Sequence, residues 1–190
     1  DLRFGNVEAV LTVIEWIATR KGFGDLLAEG SLRAAKAIGG NAAEYAMQVK
    51  GQELAFHEPR GKVNVGLGFA VSETGADHLV SIHDTALSNP GSVSFQAAQK
   101  LGIKNAYPPR EFNDEKVSQY WICENWLNAG KVLGICYFGP APRSFIQVDE
   151  VVSIVRSATG WDVDVDELLT IGERSNNLTR VFNVREGFRR

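Results

Sequence analysis

The segment from Asn113 to Ala129 constrains this chain most. Asn113 is a helix cap, and Asp114 and Glu115 place two carboxylates in the first turn, where the helix dipole favours them. Beyond the cap, apolar residues fall on two sides of a helical wheel. Val117, Tyr120 and Trp121 lie on one side; Ile122, Cys123, Trp126 and Ala129 lie on the other. A helix apolar on two faces is sandwiched between layers. The spacing therefore predicts a central helix, and the rest of the chain must supply the layers around it.

The flanking segments read mostly as helices that can do so. Asn6 caps a stripe of Val7, Val10, Leu11, Ile14, Ile17 and Ala18, the i, i+3, i+4, i+7 spacing of an amphipathic helix, with Gly22 and Gly24 as its stop. Ser31 to Ile38 is an alanine-rich helix closed by Gly39-Gly40. Asn41 with Glu44 has capping-box spacing and predicts a short helix through Met47. From Val49 to Val65 the helical period disappears around Gly51, Pro59 and Gly61, which predicts an extended linker and a domain boundary. Gly66 to Gly75 is glycine-rich and apolar, suited to close approach by a backbone or a ligand. Asn89-Pro90-Gly91 is a turn signal. Helices resume near Ser94 to Leu101 and break at Pro108-Pro109. After the central helix, one is predicted from Asp149 to Ala158, with Val151, Val152, Val155 and Ala158 inward and Gly160 as stop. Another starts near Asp164 and carries Leu168, Ile171, Leu178 and Phe182. The expected fold class is all-α and multihelical.

Composition excludes several functions. The 190 residues carry a formal net charge of −3 and no dense basic patch, which argues against a nucleic-acid partner. The cluster Arg185, Arg189, Arg190 is a solvated helix end. No apolar run approaches the ~18 residues of a membrane span. Two cysteines, Cys123 and Cys136, are too few for a disulfide framework and fit a reducing cytoplasm. The sequence lacks an initiator methionine and stops in a polar segment, so it reads as an excised fragment.

Three places can carry chemistry. In Gly134-Ile135-Cys136-Tyr137-Phe138-Gly139-Pro140 a cysteine follows the central helix and precedes a glycine–proline break. Cys136 is either a metal or cluster ligand at the mouth of a loop or a buried packing residue. Asp77-His78 and His83-Asp84 place two histidines five residues apart, able to shuttle protons or bind metal, or simply hydrogen-bonded within a loop. No third histidine or cysteine nearby completes a zinc pattern. The glycines from 61 to 75 match neither a Walker loop nor a dinucleotide fingerprint, because Gly61-Lys62 lacks a following Ser or Thr and no βαβ unit surrounds it.

Taken together, the segments resemble the aldehyde ferredoxin oxidoreductase family along nearly the whole chain. The resemblance rests on collinear stretches: Leu2-Arg3-Phe4-Gly5-Asn6, the run from Gly24 to Gly30, Val49 to Glu53, Glu58 to Gly61, Gly134-Ile135-Cys136, and Phe182 to Gly187. It implies a tungsten (or molybdenum) bis-pterin and a [4Fe-4S] cluster, both shared with a preceding part of the same polypeptide. Residues 1–48 would end a middle helical domain, and residues 49–190 would form the C-terminal helical domain. Cys136 matches the family's fourth cluster cysteine, remote from the other three; four thiolates hold such a cluster. Gly134 and Ile135 match positions beside a pterin. His78 matches the pocket histidine that donates a proton or a hydrogen bond to the substrate carbonyl.

The implied activity is oxidation of aldehydes to carboxylic acids, with electrons passing to ferredoxin or another electron-transfer protein. Two departures bear on it. Lys131 stands where the family often has a pterin-binding aspartate, so a cation meets the cofactor there. Thr74-Gly75-Ala76-Asp77-His78 stands where aldehyde-oxidising members commonly have Arg-Gly-Ala-Cys-His. These changes, with Gly139 to Arg143, are similar to the branch holding the catalytic subunit of class II benzoyl-CoA reductase, an alternative reading. A non-catalytic helical interaction domain is the alternative from another class.

Overall fold

A computed structural model describes residues 2–188. Among them are nine α-helices, one 3-10 turn and two strands of two residues each, so the chain is mostly helical, as its periodicity predicts. It divides into two compact units, Asp1–Leu54 and Ala55–Arg190.

The first unit contains α1 (Val7–Thr19), α2 (Phe23–Leu27), α3 (Ser31–Ile38), a 3-10 turn (Ala42–Tyr45) and a hairpin of β1 (Gln48–Val49) and β2 (Gln52–Glu53). The Asn6 side chain accepts from the Ala9 amide, as its cap position predicts. The stop differs from expectation. α1 ends at Thr19 because Arg20 turns into the left-handed region, and Gly24 lies inside α2. Glycine is needed there for packing: a Cβ would sit 2.3 Å from the Trp16 carbonyl carbon. The Arg20 guanidinium binds Asp25 at 2.8 Å and Glu29 at 2.7 Å across this turn. The predicted helix through Met47 is only the 3-10 turn, and Asn41 makes no side-chain cap bond. Lys50 and Gly51, with φ of 55° and 86°, form the tight turn of the hairpin. The apolar stripe of α1 is exposed rather than inward; no α1 residue is buried. Within this unit only Gly24, Ala34 and Ala35 are buried, which is too little to form a layer over that stripe.

The second unit holds α4 (Val63–Val71), α5 (Asp84–Leu87), α6 (Val93–Gln99), α7 (Asp114–Val132), α8 (Val148–Thr159) and α9 (Val165–Arg185). α7 is central: it lies along α9 and also contacts α4, while α8 packs on α9. Trp126, Leu127, Leu168, Val148, Phe95 and Ile82 belong to one continuous core. Only one predicted side of α7 is covered as expected. Tyr120 is buried, but its sequence neighbours Val117 and Trp121 are exposed at 38% and 49%. The buried surface of α7 is instead partly polar, including Lys116, Gln119, Glu124, Asn125 and Asn128.

The glycine-rich segment is helical up to Val71, as the second part of α4, and Gly66 and Gly68 there serve close packing. A Cβ on Gly68 would lie 2.8 Å from Val80 Cγ2. Gly172 of α9 is tighter still: a Cβ there would lie 1.8 Å from the Asn125 carbonyl oxygen of α7. Asn176 donates to Asn125 Oδ1 at 2.9 Å along the same contact. α8 follows its predicted range, with a capping box between Gln147 and Glu150, although Ala158 is exposed. Leu178 and Phe182 of α9 are also exposed, at 72% and 61%. Arg185 ends α9, whereas Arg189 and Arg190 of the terminal basic cluster lie outside the described residues.

Candidate functional site

The end of α7 explains how Cys136 is presented. Leu133 is the C-cap, and Gly134 follows with φ of 72°, the left-handed conformation that favours glycine. The Ile135 amide donates to Gly130 O at 2.9 Å and the Gly134 amide to Lys131 O at 3.0 Å, the paired bonds of a Schellman cap. Lys131 is exposed in the last helical turn, where a cation complements the dipole. Lys131, Gly134, Ile135 and Cys136 are thus brought within one turn. The Cys136 carbonyl then accepts from the Gly139 amide at 2.8 Å, making a second tight turn. A Cβ on Gly139 would lie 3.2 Å from that carbonyl oxygen.

The two cysteines part company here. Cys136 is exposed, so it is not a buried packing residue; Cys123 is fully buried. Burial pushes the Cys123 thiol up to about 12, against a smaller opposing contribution from the Ile82 backbone. Of the two thiols, only that of Cys136 is accessible as a thiolate ligand.

The loop after Cys136 is pinned from below. Trp126 Nε1 donates to Ala141 O at 2.7 Å, and Ala141 and Ile146 are hydrogen-bonded through N–H to O at 2.8 Å. The Tyr137 hydroxyl donates to Ser81 O at 2.9 Å. Ser81 is three residues from His78, so the cysteine loop and the histidine loop are joined by one direct bond. Burial raises the Tyr137 phenol to about 12, so at neutral pH it is a donor.

His78 and His83 are both half-buried. The His83 Nε2–H donates to the His78 carbonyl at 2.9 Å, since a carbonyl can only accept; this assigns the His83 tautomer. A third histidine, which nothing nearby in sequence announces, completes the group. The His57 ring centroid lies 4.6 Å from that of His78 and 4.4 Å from that of His83; His78 and His83 are 5.9 Å apart. The Lys62 ammonium donates to His57 Nδ1 at 3.4 Å. Partial burial lowers the His57 pKa, reinforced by the cations Lys62 and Arg143 and by the neighbouring His78 ring. Burial also lowers that of His83; its bond to the His78 carbonyl works the other way.

The aspartates flanking the histidines point elsewhere. Asp77 Oδ1 accepts from the Leu79 amide at 2.8 Å. Asp84 is 0% exposed at its side chain and pairs with Lys116 at 2.5 Å, while its carboxylate also accepts from the Asn64 amide at 3.0 Å. Asn64 in turn lines a small recess with His78, and its buried Oδ1 has no donor among the described residues. No group of three or more His, Cys, Asp or Glu side chains among the described residues is arranged to hold a metal ion. The His83–Asp84 pair read from sequence is therefore not a ligand pair. His57 was missed as a neighbour of His78, and Lys62 and Arg143 as neighbours of His57, because their loops meet only in the folded chain.

The structure thus presents an exposed cysteine on a capped helix end, tied by a tyrosine to a loop that carries two histidines. All 190 residues match the family model described as aldehyde ferredoxin oxidoreductase, domains 2 and 3, and the chain belongs to the aldehyde ferredoxin oxidoreductase family. It is 35% identical over 186 residues to the tungsten-containing aldehyde ferredoxin oxidoreductase of Pyrococcus horikoshii, covering 97% of this chain. It is 33% identical over 186 residues to that of Pyrococcus furiosus, again over 97%. An aliphatic sulfonate oxidoreductase, WOR-like subunit, of Pyrococcus furiosus is 33% identical over 84 residues, which is 41% of this chain and 14% of that protein. The chain spans 28% of the length of the tungsten-containing relatives. No helix among the described residues is long and apolar enough to cross a membrane.

Proposed function

We propose that this chain is the C-terminal part of a tungsten-bispterin, iron–sulfur oxidoreductase of the reducing cytoplasm that converts aldehydes to carboxylic acids and passes the electrons to ferredoxin. On this reading residues 1–48 end the family's middle domain and residues 49–190 form its C-terminal domain. The observation that carries it is the Tyr137–Ser81 hydrogen bond of 2.9 Å, which ties the turn bearing Cys136 to the loop bearing His78. An independent helical interaction domain has no need to couple an exposed thiol to a histidine. The uncovered apolar stripe of α1 supports packing against more of the same polypeptide.

The residues fit the groups the family implies. Cys136, with its thiol exposed on a turn, would supply one of four thiolates to an iron–sulfur cluster, the other three coming from elsewhere in the polypeptide. Gly134, exposed and without a side chain, leaves its backbone open beside a pterin, with Ile135 and Lys131 flanking it. The bound tungsten pterin supplies the two-electron chemistry of aldehyde oxidation. The chain's own part is to position and protonate. His78 would hold the substrate carbonyl by a hydrogen bond, in a half-buried setting where competing water is reduced. Tyr137 would keep the two loops in register.

The test is made in the intact enzyme. His78→Ala is expected to lower kcat while tungsten content stays unchanged; loss of tungsten would make His78 structural and refute its role at the substrate. Cys136→Ser is expected to lower iron content and alter the spectrum of the reduced cluster; an unchanged iron content and spectrum would remove it from the ligand set.

A further inference from the structure

Lys62 and Arg143 bring positive charge to the cluster of three imidazoles, His57, His78 and His83, in a chain whose formal net charge is −3. The nearest carboxylates in sequence are all engaged elsewhere. Glu58 is held by Arg60 at 2.7 Å, Asp77 faces the Leu79 amide, and Asp84 is paired with Lys116. No ion pair among the described residues joins Lys62, Arg143 or any of the three imidazoles to an Asp or Glu. The rings are only 4.4 to 5.9 Å apart and half-buried, so protonating one raises the energy of the next. The tautomers leave one donor available on neutral His57, whereas His83, whose Nε2–H is given to the His78 carbonyl, offers a donor at Nδ1 only when protonated. Lys62 occupies His57 Nδ1, so neutral His57 carries its proton on Nε2. Lys62 itself has further N–H bonds to give. A metal ion is a poor match, because the His83 Nε2 is committed to a carbonyl and the described residues form no metal-holding group.

We infer that His57, Lys62 and His83 form an anion-binding subsite beside His78, which takes an oxyanion of the carboxylate class. The inference rests on the reading of His78 as the pocket histidine and deepens it. The carboxylate is either a second anionic group carried by the aldehyde substrate or the carboxylate of the acid product. Burial, with smaller repulsion from the neighbouring cations, holds His57 and His83 down; an oxyanion against these groups favours their protonated forms, so binding strengthens as pH falls through their titrations. Glu58, Asp77 and Asp84 do not compete, since each already has its own donor.

The binding step is tested without turnover. The full 190-residue chain is titrated with sodium acetate and, separately, sodium sulfate at constant ionic strength, and its imidazole nitrogens are followed by NMR. The subsite predicts saturable shifts of His57 and His83 and upward movement of their titration midpoints. Lys62→Met should weaken the acetate Kd about tenfold, through loss of one charge-assisted hydrogen bond, and His57→Asn should do likewise if Lys62→Met does not fold. Equal shifts with chloride, no saturable shift, or a response to zinc alone would overturn the subsite.

The source of the anion is then read in the intact enzyme. A rise of about tenfold in KM for a semialdehyde bearing a terminal carboxylate in Lys62→Met, with the KM of an uncharged aldehyde of equal length unchanged, assigns the site to a substrate group. Weakened inhibition by the acid product, with both KM values unchanged, assigns it to the product. Neither effect overturns the inference. If the wild-type enzyme oxidises neither aldehyde while the chain still binds acetate, the oxidoreductase reading has failed and the subsite has not.

Discussion

The ion pair between Asp84 and Lys116 is the most exacting test of how this fold positions its histidines. Lys116 Nζ is 2.5 Å from Asp84 Oδ1, with the two side chains 2% and 0% exposed. Each partner has further bonds. The ammonium donates to Pro108 O at 2.8 Å and Pro109 O at 3.1 Å, and the carboxylate accepts from the Asn64 amide. Lys116→Met leaves a buried carboxylate with one backbone donor, while Pro108 O and Pro109 O keep only the Glu111 and Val63 amides. Asp84→Asn leaves a buried ammonium facing only neutral carbonyl oxygens, with no counter-charge. Removing one partner of such a pair costs about 3–5 kcal/mol, because the other charge stays buried. Removing both costs much less, so the double variant Asp84→Asn/Lys116→Met is expected to be more stable than Lys116→Met. The coupling from a double-mutant cycle should be about 3 kcal/mol. Urea-dependent hydrogen exchange at α7 amides is the assay, since it reports on the second unit alone. Additive effects, with a coupling below about 0.5 kcal/mol, would refute the claim that the pair acts as a unit.

Four other outcomes are expected. Gly172→Ala should cost about 3 kcal/mol or more, because the new methyl meets the Asn125 carbonyl oxygen at 1.8 Å and α7 and α9 must separate; thermal unfolding measures it. Iodoacetamide at neutral pH should label Cys136 and spare Cys123, as mass spectrometry of the folded chain would show. The Cys123 thiol is raised in the folded state from 9.0 to about 12, so the unfolded chain binds fewer protons between those values. Its contribution to stability is complete below pH about 9 and falls as pH rises, by about 1.4 kcal/mol per pH unit, which alkaline urea titrations compared with Cys123→Ala would resolve. Tyr137→Phe should cost about 1 kcal/mol and shift the ring resonances of His78 and His83, since it frees Ser81 O while keeping the aromatic volume.

Helices bounded by local chemistry were legible in the sequence. The Asn6, Asn113 and Asp164 caps all accept the amide their positions predict, and Gly160 ends α8 in the left-handed region. Each depends on residues within a few positions. Elements decided by distant partners were not legible. α4 carries two glycines that argue against a helix, yet Gly68 is needed where Val80 presses in. Lys116 reads as a solvated residue of a helix start, but its charge is buried against an aspartate 32 positions upstream. The apolar stripe of α1 was legible as a helix face and misleading as a core face, since periodicity reports that a face is apolar and not what covers it. At the candidate site, His78 and Cys136 stood out because each sits in a motif. His57 lies in Phe56-His57-Glu58-Pro59, which has no helical period and no metal-ligand spacing, and only the folding of the 57–62 loop onto the 78–83 loop brings it in.

The polar residues buried on α7 are better understood as positioning devices than as stabilising ones. A wholly apolar central helix would bury more hydrocarbon and face no desolvation cost for Lys116 or Glu124. What the polar groups add is register. Lys116 fixes Asp84 next to His83. The Tyr120 carbonyl meets the Ser81 hydroxyl at 3.4 Å, and Tyr137 returns from beyond the helix end to the carbonyl of the same serine. The segment from 81 to 84 is therefore held at both of its ends, and sliding it by one residue would break all three bonds, whereas apolar contacts would re-form at small cost. On the proposed reading, in which His78 meets the substrate carbonyl, little displacement is tolerated, since misplacement of about 1 Å can cost a hundredfold in rate. The burial of charge in α7 is consistent with that demand on the loop carrying His78 and His83.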